Sequence, residues 1–303
     1  MIRDFTQEPL AKHFNDLDLV TARSSWTDAQ ATAVAFLCGP YQGHRVMRRL
    51  SGDLGGAHVH PDTASLQVYS RGEFLLCDPG YEGFKRTDHH NTLLVGGHGQ
   101  LGEGTAWYNV NRVLHFQGWA EVQAFRDERT WAAWLGDASR MYVREAKLSR
   151  FRRHVLYLRP DLLVVLDQLA AAEARVFTQL WHAESEWKAL ASGGWGFTQK
   201  GAAFSAWPLA VAQAGAGMTV EARRQELPDL LNAGGRSQYE LRVSSPSAHA
   251  WVFAVVFAAG DAAGGPPSLE CESVMSEIVV TKGPGAPVRI RFDLEGNKAP
   301  AVV

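Results

Sequence analysis

The chain has 303 residues, 46% hydrophobic and 20% charged, with a formal net charge of −2. This is enough apolar material for one large or two smaller soluble globular domains, and the balance excludes a bulk basic surface for nucleic acid. Three scattered cysteines (Cys38, Cys77 and Cys271) exclude a disulfide framework or a cysteine zinc site, and no apolar run reaches membrane-spanning length.

Residues 1–24 are mixed and polar and read as a lead-in, the remnant of a linker, with one helical turn near Pro9–Phe14. They carry no apolar core of signal-peptide type, so the chain as written reads as cytoplasmic; periplasmic or secreted placement is expected if it is a fragment of a longer protein. Ala31–Cys38 is an apolar run closed by Gly39-Pro40, with His44 and Arg45 following in what reads as a solvated loop. Ser65–Tyr69 and Glu73–Cys77 flank Ser70-Arg71-Gly72 and read as a β-hairpin, with Asn91–Val95 the next strand-like run. Trp119–Phe125 (WAEVQAF) alternates like a half-buried strand. Arg150–Leu158 pairs across Arg159-Pro160-Asp161 with Leu162–Leu169, whose nearly continuous apolar run places it in the core. Val176–His182, Gly196–Gln199 and Ala202–Trp207 continue the series, with Lys200-Gly201 as a turn. Gln238–Val243 and Ala248–Ala258 follow, and Ser268–Glu272, Glu277–Thr281 and Val288–Asp293 close the chain. Only Thr130–Asp137 and Gln225–Asn232 read as short helices. Without a sustained helical period or an internal repeat, the pattern predicts an all-β fold: one large antiparallel β-sandwich over residues 25–303 with one continuous core.

Chemistry concentrates between Gly55 and Gly97, which hold His58, His60, His89 and His90 with Asp62, Asp78 and Asp88. The two open ends of a hairpin lie at one sheet edge, so His60 and Asp78 can meet there, and His90 opens the next strand. Imidazole and carboxylate are both normal zinc ligands, so His, Asp and His converging on one point make a plausible divalent metal site; the alternative is a hydrogen-bonded His–Asp cluster with no metal. His58 shares a strand face with His60 and would stand beside the metal. His89 reads as a solvated loop histidine and His182 as a satisfied structural one. The ten tryptophans read as core filling ahead of sugar platforms. No nucleophile elbow, phosphate-binding loop or dinucleotide fingerprint is present.

The segments GAHVHPD, SLQVYSRGEFLLCDPGY and RTDHHNTLLV together resemble the heparinase II/III-like polysaccharide lyases, a superfamily that also contains alginate and oligoalginate lyases. The resemblance implies a β-sandwich domain that binds one metal, zinc by first choice, through His60, Asp78 and His90, and lends His58 to catalysis as acid or base. It implies an acidic polysaccharide or oligosaccharide as ligand, Arg86 as the arginine that meets a uronate carboxylate, and β-elimination as the reaction. Arg86 stands one residue closer to the His-Asn-Thr than in the family pattern. The family's helical toroid has no counterpart in this sequence, so the toroid is expected in cis or in trans, and the chain alone is expected to be inactive. A membrane or nucleic-acid partner is not expected. The rival expectation is a non-catalytic, metal-stabilised carbohydrate-binding or structural module.

Overall fold

The apolar runs sort into layers according to whether they alternate or run on without a break. The structure, a computed structural model, describes residues 4–49, 59–80, 85–103, 118–211, 217–227, 236–274, 276–283 and 285–303. The first sheet takes β1 (Ala11–Phe14), β2 (Leu19–Arg23), β3 (Ala33–Leu37), β4 (Ser65–Ser70) and β5 (Glu73–Leu76) in sequence order, all antiparallel. Val20, Ala22, Val34 and Phe36 are buried while their strand neighbours are half-buried, as expected of strands with one covered face. Residues 11–23 are therefore strand and not linker: β1 and β2 pair with Ala11 opposite Ala22, and β2 continues onto β3 with Leu19 opposite Leu37. Their two short apolar alternations are separated by the polar Asn15–Asp18 turn, which masks the pattern in the sequence. The segment read as a solvated loop at His44 is the short helix α1 (His44–Arg49). Between β4 and β5, Arg71 and Gly72 both have positive φ, 54° and 83°. That is the two-residue hairpin geometry for which glycine is preferred.

The chain continues through β6 (Leu93–Val95), β7 (Glu121–Asp127), β8 (Trp131–Asp137), β9 (Leu148–Leu158), β10 (Leu162–Arg175) and β11 (Phe177–Ala183). β12 (Lys188–Ala189), β13 (Trp195–Gln199), β14 (Ala202–Ala210), β15 (Thr219–Leu227), β16 (Arg236–Ser244) and β17 (Ala248–Asp261) follow. The last are β18 (Leu269–Val274), β19 (Glu277–Lys282), β20 (Val288–Arg291) and β21 (Ala301–Val302). Among the described residues they complete three further antiparallel sheets: eight strands in the order β12-β13-β14-β17-β10-β9-β8-β7, four as β15-β16-β11-β6, and four as β18-β19-β20-β21.

The eight-stranded sheet is a middle layer with both faces covered. Along β10, Leu163, Val165 and Leu169 join one core, while Leu162, Val164 and Leu166 join the other. β17 divides likewise, Phe253, Val255 and Phe257 against Ala254, Val256 and Ala258. The first core also takes the inner faces of the five-stranded and β6-containing sheets; the second takes Leu269, Ile278, Val280 and Ile290 from the C-terminal sheet. The single core expected from sequence is thus two, divided by this sheet. The same geometry corrects Thr130–Asp137, which is strand β8: Ala132 and Trp134 face one core, Trp131 and Ala133 the other. A strand buried on both sides loses the alternation that would mark it. Of Gln225–Asn232, residues up to Leu227 are strand β15, and the remainder lies outside the described residues. Gly136 in β8 lets the first sheet approach closely, since a Cβ there would stand 2.6 Å from Cys38 Sγ and 2.7 Å from the Phe36 ring. Trp131, Trp134, Trp181, Trp187, Trp207 and Trp251 are all buried, so most tryptophans do fill the core.

A buried ion pair crosses the first core. Arg153 of β9 forks onto Asp167 of β10, Nε to Oδ1 at 2.7 Å and Nη2 to Oδ2 at 2.6 Å, and both side chains are fully buried. Arg153 Nη1 also donates to the carbonyls of Ala64 (2.6 Å) and Asn91 (2.8 Å), and Gln179 Nε2 donates to Asp167 (2.7 Å). Next to it in β9, His154 faces the other way. It is buried beside Phe292, with ring centroids 6.0 Å apart, and among the described residues neither ring nitrogen has a hydrogen-bond partner. Burial, reinforced by the Arg152 charge, pushes its pKa down from 6.5 to about 4.

Two stability predictions follow from these neighbours. Arg153→Met should cost about 3–5 kcal/mol, because Asp167 is left as an uncompensated buried charge. Adding Asp167→Leu should recover only part of that, since the Ala64 and Asn91 carbonyls stay unpaired. Urea titration of both variants checks this, and full recovery in the double variant would refute the role given to those carbonyls. For His154 the unfolded ring binds a proton near pH 6.5 and the folded ring only near 4, so between these values the unfolded state holds more protons and stability rises with pH. Stability present above about 6.5 should therefore fall by about 3 kcal/mol as pH drops through about 4. In His154→Leu that part of the pH–stability curve should flatten, and a curve parallel to that of the wild type would contradict the assignment.

Candidate metal centre and active site

The predicted donors sit where the β4–β5 hairpin opens. His60 and Asp62 precede β4, Asp78 follows β5, and His90 caps a single 3-10 turn, Thr87–His89, just before β6. Local chemistry fixes this loop. Asn91 Nδ2 donates to Leu66 O (2.7 Å) and Cys77 O (2.9 Å), bridging the two strands at the hairpin's open end. Asn91 Oδ1 accepts the backbone amide of His182 at 2.6 Å. Thr92 Oγ1 donates to Thr63 O at 2.7 Å, and Gln100 brackets Thr63 from both sides, accepting its amide (2.9 Å) and donating to its carbonyl (2.8 Å). These bonds make Asn91 and Thr92 braces of the loop.

The three predicted ligands form a continuous chain of contacts. Asp78 Oδ2 lies 2.9 Å from His90 Nδ1, and His90 Nε2 faces His60 Nδ1 at 3.3 Å. The two rings meet edge to face with centroids 5.2 Å apart. A proton on His90 Nδ1, donated to the carboxylate, directs the Nε2 lone pair towards His60. His90 is fully buried, His60 and Asp78 partly so. Asp62 belongs to the same cluster: one donor atom each from Asp62, Asp78 and His90 lie within 4.8 Å of one another. Beside them opens a cavity of about 480 Å³ walled by Leu17, Gly39, Tyr41, His60, Asp62 and Asp78.

The electrostatics separate the groups. Burial, with the neighbouring His90, lowers the His60 pKa to about 4, which keeps that ring neutral. Burial raises the Asp62 carboxyl to about 6. Burial works upward on Asp78 too, but the His90 hydrogen bond and charge and the Gly80 amide outweigh it and hold its pKa below the usual value. Two carboxylates in one cluster thus differ in proton affinity because only one has a hydrogen-bonded cation-forming partner. The donor set of neutral imidazoles and carboxylates is the type zinc takes, and the 3.3 Å between facing ring nitrogens suits two imidazoles sharing one tetrahedral ion at about 2.0–2.1 Å each. His60 and His90 fit such an ion, whereas Asp78 stands against the opposite ring nitrogen of His90, and the group whose donor atoms all lie within 4.8 Å of one another is Asp62, Asp78 and His90.

The remaining predicted residues differ from this picture. His58 lies outside the described residues. Arg86 is exposed and forked onto Asp88, Nε to Oδ1 at 2.8 Å and Nη2 to Oδ2 at 2.9 Å. His89 is not a solvated loop histidine: it is 3% exposed, because the 3-10 turn folds it inward, where its carbonyl accepts from Gln238 Nε2 at 3.1 Å. His182 is structural as expected, fully buried with Nδ1 3.2 Å from Asn91 Oδ1 and Nε2 3.1 Å from Asp88 O. His44 and Arg45, also read as solvated, divide: Arg45 is exposed, but His44 Nε2 is bonded to Asp18 at 2.5 Å. Outside the predicted set, Tyr142 is buried and donates to Leu93 O at 2.6 Å. The sequence reading missed Arg153, Asp167, Gln100 and Gln179. None sits in a motif, and the only signal was a charge inside the apolar runs of β9 and β10.

Comparison with known proteins agrees with this architecture. Among curated proteins no sequence relative matches the chain. Its fold is similar to the crystal structure of a heparinase III, with a TM-score of 0.70, 12% identity, 95% of this chain covered and 43% of the other. It is equally similar to the heparan sulfate lyase HepC from Pedobacter heparinus, with a TM-score of 0.69, 15% identity, 95% of this chain and 43% of that one. The chain therefore spans about two fifths of the length of these structures. Residues 6–256 match the family model described as heparinase II/III-like, C-terminal, and the chain belongs to that family.

Proposed function

We propose that this chain is the sandwich half of a polysaccharide lyase acting on a uronic-acid polysaccharide, with a divalent ion, zinc by first choice, held by His60, Asp78 and His90. The observation that carries the reading is the chain of contacts, 2.9 and 3.3 Å long, that joins those three side chains, with His60 and Asp78 at the wall of one cavity. Asp62 is a further carboxylate for the ion. The family match and the names of the similar structures, a heparinase III and a heparan sulfate lyase, support the substrate class. The ion's contribution would be to fix the loops at the hairpin's open end and hold His60 in one orientation.

β-Elimination breaks the C5–H bond, forms a C4–C5 double bond and expels the 4-linked sugar, whose oxygen must gain a proton. The reaction needs a base, an acid and neutralisation of the adjacent carboxylate. His58, two residues before His60, is our candidate for acid or base. Arg86 is the candidate for the carboxylate, which must compete with Asp88 for the same guanidinium edge. The groups that complete the set would come from a helical toroid in cis or in trans.

Purified protein should contain about one equivalent of zinc, and a chelator should lower Tm by on the order of 5 °C through lost binding energy. Metal analysis of His60→Ala and His90→Ala should give values near zero. Unchanged metal content in both variants would sink the proposed ligand set. For activity, the chain alone should give almost no unsaturated uronate absorbance on heparan sulfate, hyaluronan or alginate. Supplying a matched toroid should restore turnover, and His58→Ala should then remove it by a factor of about 10² or more. Turnover by the chain alone that survives His58→Ala would place the catalytic groups elsewhere. Saccharide binding without product in every combination would favour the non-catalytic binding module.

A further inference from the structure

We infer that the β7 edge of the eight-stranded sheet carries a second saccharide-binding subsite, one that takes the carboxylate or sulfate groups of an acidic polysaccharide and is distinct from the His60–Asp78–His90 cluster. Two open cavities meet at Glu121. The first, about 570 Å³, is walled by His13, Asp18, His44, Arg45, Arg48 and Arg49; the second, about 590 Å³, by Trp119, Asp137, Arg140, Ser149, Arg150 and Arg152.

Most of the acids in these walls are already occupied. Asp18 is shared by two histidines, His13 Nε2 at 2.6 Å and His44 Nε2 at 2.5 Å. Asp137 accepts Arg152 Nε (3.3 Å) and the Ser139 amide (3.0 Å), and Asp16 accepts the Arg45 amide (2.9 Å). Arg152 is further held by Gly296 O and Asn297. Arg48, Arg49, Arg140 and Arg150 are different: all are exposed, and among the described residues no carboxylate lies within ion-pair distance of any of them. A local excess of cation in a chain of net charge −2 calls for an anion from outside.

Trp119 gives that anion its chemical class. The indole is half-buried, contacted edge-on by His44 (centroids 4.8 Å apart), with the Arg48 guanidinium 5.6 Å from its ring centroid. An aromatic face beside separated guanidinium forks suits a ligand that alternates apolar C–H surface with carboxylate or sulfate. The place fits as well. Leu17 and Gly39-Pro40 wall the cavity beside His60, while Asp16, Asp18 and His44 wall the first arginine cavity, so a chain crossing this ridge would touch both. The inference rests on the acidic-polysaccharide reading for the class of ligand, and not on the metal or on His58.

Calorimetric titration of the whole chain in the presence of a chelator tests it, with a heparan sulfate hexasaccharide, a hyaluronan hexasaccharide and neutral chitohexaose as probes. Both acidic probes should bind, chitohexaose should bind at least tenfold more weakly, and added salt should weaken the acidic probes. Arg48→Ala/Arg150→Ala and Trp119→Ala should each lose tenfold or more with Tm unchanged, whereas Lys188→Ala, on β12 at the opposite end of the sheet, should bind as wild type does. Equal affinity in the wild type and both variants would overturn the inference, as would an equal loss of binding in Lys188→Ala. Tighter binding of poly-glutamate or a single-stranded oligonucleotide than of either acidic probe would overturn it too. Failure of the metal proposal would leave these titrations unchanged, and failure here would leave the zinc stoichiometry unchanged.

Discussion

The Arg153–Asp167 pair is the constraint on which the candidate site depends. A guanidinium and a carboxylate cannot stay buried unless nearly all their hydrogen-bonding capacity is used. Asp167 and Gln179 take part of that demand, and the rest is met by two backbone carbonyls outside the eight-stranded sheet, those of Ala64 and Asn91. One of these carbonyls lies at the entry to β4 and the other immediately after His90. The ion pair therefore ties the middle sheet to both loops that carry the donor cluster. The indole of Trp181, its centroid 4.9 Å from the guanidinium carbon, covers one side of the cation.

A second layer of polar contacts holds the His90 loop from beneath. Glu240, fully buried in β16, is met by Arg223 and Arg242 and lies 3.5 Å from His182 Nε2. His182 in turn contacts Asn91 and the carbonyl of Asp88, and Gln225 Nε2 donates to that same carbonyl at 2.9 Å. The loop is thus positioned by three sheets at once. Such an arrangement restricts the rotamers of His90 and Asp78 before any ligand arrives, which is what a metal or catalytic constellation requires. The cost is a dense buried polar network, tolerable because its members are largely paired.

The middle layer also separates the donor cluster and the arginine-rich β7 edge from the C-terminal sheet. The C-terminal sheet covers one side of the eight-stranded sheet with apolar contacts, and among the described residues it contributes none to the histidine cluster. The donor cluster and the arginine-rich β7 edge both lie with the first sheet, on either side of the Asp16–Asp18 turn. That turn was hidden in a stretch that reads as linker, although β1 and β2 on either side of it complete the sheet that frames both cavities.

Short-range patterns determined much of this protein. The Arg71-Gly72 turn between two apolar runs fixed the hairpin, because positive φ at both residues is a local backbone requirement. Placing His60 and Asp78 at its ends then followed from the antiparallel pairing alone. The alternating strands and the long apolar run of β10 were legible for similar reasons. Tertiary structure decided what depends on partners far along the chain. Trp131–Asp137 is a strand only because two cores cover it, and His89 is buried only because β16 lies over its turn. Asp62 joins the cluster, and Arg153 satisfies Ala64 and Asn91, through contacts no spacing rule encodes. Burial and hydrogen-bond satisfaction are properties of the packed assembly, so a sequence can name the donors at a turn but not the buried charges that hold them in place.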